Sequence, residues 1–120
     1  DQADEAFDRL RYLLPYRPYG TDLGFCLEMF CDNHLGTVNG RTTLIVLGDG
    51  RNNYNSPRVD LIKMLQRRAR RLIWLNPEHE RQWGTGDSDM PDYRPHCDAV
   101  YPVRNLAQLS SAIDKLLTYQ

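Results

Sequence analysis

The sequence predicts one α/β domain, a three-layer Rossmann-like sandwich around a mostly parallel sheet, and three observations carry that reading. Short β-prone apolar runs alternate with segments of helical periodicity, the pattern of strand–helix–strand crossovers with right-handed connections. The first of those runs, Thr42-Thr43-Leu44-Ile45-Val46-Leu47, is continuously apolar at its centre, as strands covered on both faces are. Finally, 120 residues of which 41% are hydrophobic allow one real core and no second domain, so residues 1–120 are read as a single unit.

Element by element, the chain reads α-α-β-α-β-loop-β-α. A first helix over residues 4–14 places Phe7, Leu10 and Leu14 on one stripe. Pro15, Pro18 and Gly20 end it, since prolines cannot continue a helix. A second helix opens at Thr21 as N-cap, with Leu23, Leu27, Phe30 and Cys31 at helical spacing, and stops near residues 33–36. The strand over 42–47 ends abruptly in Gly48-Asp49-Gly50. After a polar loop, Ser56-Pro57 offers an N-cap and a proline for a third helix with Leu61, Ile62, Leu65 and Ala69 inward. A second strand, residues 72–75, stops at Asn76-Pro77, and a Gly-, Asp- and Pro-rich loop follows to about Cys97. A third strand over 99–103 contains Pro102, which suggests a sheet edge. Asn105 caps a last helix bearing Leu106, Leu109, Ile113, Leu116 and Leu117. Three strands are few for such a sheet and the opening helix follows no strand, so the chain reads as the back half of a doubly wound domain, lacking its N-terminal strands.

Composition narrows the function classes. Fifteen basic against 16 acidic residues give a net charge of −1, which argues against a dedicated nucleic-acid binder. No apolar run is long enough to cross a membrane, and the acidic start Asp1-Gln2-Ala3-Asp4-Glu5 is unlike a signal peptide. Cys26, Cys31 and Cys97 share no metal-ligand spacing and read as thiols of a reducing compartment. The expected location is cytoplasmic. Charge is nevertheless uneven: residues 33–76 carry 8 basic and 2 acidic groups, whereas residues 1–32 carry 3 and 7, and residues 77–120 carry 4 and 7. Five of the central cations fall between Lys63 and Arg71. They suit the end of a helix dipole and equally a partner-docking patch.

Ligands of open parallel sheets bind at the carboxyl ends of the strands, which qualifies the loops over residues 48–55 and 76–97 and any helix N-terminus nearby; in the first of them Asp49 stands directly after the strand. A carboxylate between two glycines lets a ligand approach closely and suits a hard cation such as Mg²⁺. Thr21 and Asp22, at a helix start behind Gly20, point a hydroxyl and a carboxylate toward the same end. His34, His79 and His96 share no catalytic spacing, and Trp74 and Trp83 read as packing residues. Tyr12, Tyr16, Tyr19 and Tyr93 read as covers for sheet edges or loops.

Gly20-Thr21-Asp22-Leu23-Gly24, followed by the strand into Gly48-Asp49-Gly50, resembles the second and third loops of a von Willebrand factor A domain. The segment from Arg67 to Pro77, the segment Trp83-Gly84-Thr85-Gly86-Asp87-Ser88-Asp89-Met90, and Val103-Arg104-Asn105-Leu106 are similar to the bacterial CoxE-like subgroup. The resemblance runs from about Thr21 to Leu117. It implies a metal-ion-dependent adhesion site in which Thr21 and Asp49 are ligands, with Asp22, Arg51 and Asn52 on the rim. The family's first motif, Asp-x-Ser-x-Ser after a strand, is not found here, so Mg²⁺ or another divalent cation is expected to bind weakly. The resemblance also implies a protein partner, a MoxR-type AAA+ ATPase, and a client enzyme whose maturation or metal-centre assembly the pair assists. Neither nucleic acid nor membrane is expected, and the open strand edge allows self-association.

On this reading the chain is a binding module and not an enzyme. The alternative is a magnesium-dependent phosphohydrolase fragment, because Gly48-Asp49-Gly50-Arg51-Asn52-Asn53 also looks like a loop of haloacid-dehalogenase-type phosphatases. That family needs an Asp-x-Asp pair on an earlier strand, and here Asp87-Ser88-Asp89 comes later. A receiver domain with Asp49 as phosphoacceptor fits less well, lacking the earlier acidic pair and the later lysine.

Overall fold

The computed structural model describes residues 22–118. The helix expected over 4–14, the turn that ends it and Thr21 lie outside the described residues. Within them the elements are α1 (Leu23–His34), β1 (Thr43–Leu47), α2 (Val59–Arg68), β2 (Arg71–Asn76), α3 (Met90–Tyr93), β3 (Ala99–Pro102) and α4 (Leu106–Thr118). The strands form one sheet in the order β1-β2-β3, and both pairings are parallel. Register places Ile45 beside Ile73 and Leu75 beside Tyr101.

Alternation along the strands divides the core into two. Leu44, Leu72 and Trp74 face α1 and α2, packing with Leu27, Phe30, Ile62, Leu65, Met90 and Tyr93. Ile73 and Leu75 face the other way, against Val103 and the α4 residues Ala112 and Leu116. Helices therefore cover both faces of the sheet, and the α/β sandwich is the fold of the chain.

Several local expectations need correction. The strand buried on both faces is β2, whose residues 72–76 are all buried. In β1 only Leu44 is buried, and Leu47 keeps 41% of its surface exposed. Among the described residues β1 pairs on one side only, so its apolar run lacks the cover that β2 receives from two neighbours. Pro102 does lie on an edge strand, at the end of the β2 pairing. Of the apolar residues on the last helix, Leu106 is 83% exposed, whereas Ile113 and Leu116 are buried together with Ala112.

Helix starts also shifted. Asp22 caps α1, its Oδ1 accepting from the Phe25 N–H at 3.1 Å. α2 begins at Val59, behind Arg58 in the left-handed region at φ 50°. Ser56 and Pro57 are held outside the helix by tertiary contacts. The Pro57 carbonyl accepts from the Tyr93 hydroxyl at 2.6 Å, and the Ser56 carbonyl presses on Gly24, where a Cβ would collide with it. Only glycine permits that approach.

Candidate functional site

The carboxyl end of the sheet is built by pinning the turn after β1 to the segment after β2. Gly48 donates its N–H to Leu75, and its carbonyl accepts from the Trp74 indole at 2.8 Å. Asn76, fully buried at the end of β2, donates to the Asp49 carbonyl and accepts from the Glu78 N–H. Gly50 takes φ 75°, and a Cβ there would run into the Met90 sulfur. Its carbonyl accepts from the Asp89 N–H at 2.8 Å. Asp49 is thereby fixed between two anchored glycines, and its Oδ1 accepts from the Arg51 N–H at 3.0 Å.

Arg51 locks the two loops together. Nε and Nη2 form a fork with Glu78 at 3.0 and 3.1 Å, and Nη1 reaches Asp87 at 2.9 Å and the Thr85 carbonyl at 2.8 Å. Its side chain is only 18% exposed. The hydrogen bonds that it donates to Glu78 and then to Asp87 raise its proton affinity further, and in return Arg51 holds the Asp87 carboxyl below the usual carboxylate range. Such a planar five-donor cation suits this multiple recognition as lysine cannot.

Asn52 was expected on the rim. It is instead fully buried, because its amide is a three-way staple. Oδ1 accepts from the Gly24 N–H at 2.7 Å, near the start of α1. Nδ2 donates to Asp89 at 2.8 Å and to the Tyr93 hydroxyl at 2.9 Å. Tyr93, expected as a surface cover, is also fully buried and stacks on Trp74 with ring centroids 4.8 Å apart. Burial pushes its phenol well above the ordinary range.

Above this base a cleft of about 630 Å³ opens, and Asp22, Gly48, Asp49, Arg51, Arg104 and Leu106 are among its lining residues. The structure thus brings Asp22, Asp49 and Arg51 to one opening, at the carboxyl ends of the strands. Asp22 is engaged in capping α1, and Asn55 donates to its other oxygen at 3.4 Å. No hydrogen bond to Asp49 Oδ2 occurs among the described residues. Asp49 therefore offers one hard oxygen to the cleft. Among the described residues no three His, Cys, Asp or Glu side chains converge as a metal cage, so a cation here would keep most of its ligands as water or as oxygens of a partner.

No histidine lines the cleft. Asp87 and Asp89, which have the Asp-x-Asp spacing but follow the Asp49 loop in the chain, are both engaged: Asp87 accepts from Arg51 and the Asn53 N–H, and Asp89 accepts from Asn52. Cys31 and Cys97 are half-buried thiols, and desolvation pushes Cys97 up to about 12. Sequence reasoning missed Asn52, Tyr93, Asn76 and Ser88 as buried polar groups, and no local pattern marks any of them. The signal nearest to one was Asp87-Ser88-Asp89-Met90, whose run of turn-forming residues meets Arg51 in an antiparallel bridge at Ser88.

Residues 1–109 match the sequence profile of the family described as VWA domain containing CoxE-like protein. Comparison with curated proteins found no significant match, nor did comparison with solved structures.

Proposed function

Because the chain belongs to the CoxE-like von Willebrand factor A domain family, we propose that it is a non-enzymatic, metal-dependent protein-binding module. It works with a MoxR-type AAA+ ATPase in maturation or metal-centre assembly of a client enzyme. Asp49 carries the reading: an anchored carboxylate at a strand end, facing an open cleft between two immobilised glycines. Thr21, adjacent in sequence to the cap residue Asp22, is the second protein ligand in this proposal. A divalent ion held there supplies a coordination position that a partner carboxylate can occupy. Asp22 and Arg51 shape the rim, and exposed Leu106 adds apolar contact.

The test is association of the full chain with a purified MoxR-type ATPase, measured with Mg²⁺ and with EDTA. Association that requires Mg²⁺ and is lost in Asp49→Ala supports the proposal. Equal association in EDTA, or Mg²⁺-dependent hydrolysis of a phosphate ester that Asp49→Asn abolishes, would overturn it.

A further inference from the structure

The cations around the end of α2 take no part in the cleft. Lys63, Arg67 and Arg70 are exposed, and so is Arg41. None of these four makes an ion pair among the described residues, whereas Arg51, Arg58 and Arg94 each reach a carboxylate. Arg68 lies over the turn before β1, its Nε donating to the Val38 carbonyl at 2.6 Å. The Arg70 N–H donates to Thr42 at 2.8 Å, so the cations gather where α2 ends and β1 begins. That is the amino end of the strands, opposite the cleft.

A concave strip of about 470 Å³ runs along this part of α2, lined by Asp60, Lys63, Met64, Arg67 and Arg68. Those positions fall on one helical face. Asp60, at its head, is already held by the Arg58 fork at 3.1 Å through both oxygens, so the strip is dominated by its unpaired cations. The helix dipole accounts for cations in the last turn, Arg67 and Arg68. It does not account for Lys63 in the middle of α2, or for Arg70 and Arg41 outside it.

We infer that this strip is a second docking surface, and that its occupant is an acidic protein segment carrying an apolar side chain. Carboxylates would meet Lys63 and Arg67, with Arg70 exposed beyond the end of the strip, while Met64 and the aliphatic stems of the long cations give an apolar floor. A nucleic-acid backbone would make no use of that floor. The surface stands apart from the metal reading of the cleft, and the two can fail separately.

Fluorescence anisotropy on the full chain, with a labelled oligoglutamate peptide containing leucine as probe, tests the inference. Binding should weaken as salt rises and be the same in EDTA as in Mg²⁺. The double variant Lys63→Glu, Arg67→Glu should bind about tenfold more weakly or worse, with its melting temperature nearly unchanged because both side chains are exposed. Arg81→Gln, an exposed cation elsewhere, should bind as the parent does. Absence of binding, equal binding by the double variant, or tighter binding of duplex DNA than of the peptide would overturn the inference.

Discussion

Asn52 ties α1 to α3 from a single amide, and its replacement should be felt globally. Asn52→Ala leaves the Gly24 N–H, the Asp89 carboxylate and the Tyr93 hydroxyl short of a partner. Unsatisfied buried groups cost about 1–3 kcal/mol each when nothing relaxes. We expect a loss of about 2–4 kcal/mol in urea unfolding; a loss below about 0.5 kcal/mol would mean that water replaces the staple. Two residues on, Tyr54 is 81% exposed and sits at φ 63°. A bulky side chain in that region costs about 1–3 kcal/mol, partly offset against glycine by glycine's greater entropy. Tyr54→Gly should therefore stabilise the fold by about 1 kcal/mol, read from the same urea midpoint. None of this is visible in the sequence, where Arg51-Asn52-Asn53-Tyr54-Asn55 is simply a polar loop. Burial of Asn52 is decided by residues 28 to 41 positions away.

At the scale of elements, what was legible follows from how local each signal is. The strand runs at residues 42–47 and 72–75 announce themselves by β-branched and apolar content alone, and both are strands. Helix starts are less local. Asp22 caps α1, and α2 starts behind Arg58 and not at Ser56, where Tyr93 and Gly24 engage the Pro57 and Ser56 carbonyls. The site was legible only in part: Asp49 does sit at a strand end, but the loop assembly that fixes it depends on the Arg51 fork. That fork predicts an acid-sensitive link. The Asp87 carboxyl is held low by Arg51, so its contribution is complete above the ordinary carboxylate range and is lost as pH falls through the depressed value. Melting temperature from about pH 6 down to about pH 2.5 should fall more steeply in the parent than in Arg51→Gln. Parallel curves would mean that the link contributes nothing.

At the scale of the whole molecule, the sheet separates two surfaces of different chemistry. Its carboxyl end presents a carboxylate-bearing cleft, and its amino end presents unpaired cations. Among the described residues no helix is long and apolar enough to cross a membrane. On the two proposals above, the molecule would take one partner through an ion and another through that partner's acidic surface, and this separation lets it hold both. The central claim rests on the ion. Titrating the isotope-labelled chain with Mg²⁺ and following amide resonances tests it most directly. The account predicts shifts concentrated at Gly48, Asp49, Gly50 and Asp22, with an affinity on the order of millimolar, and their disappearance in Asp49→Ala with the rest of the spectrum retained. Shifts that avoid those amides, or that persist undiminished in Asp49→Ala, would contradict it.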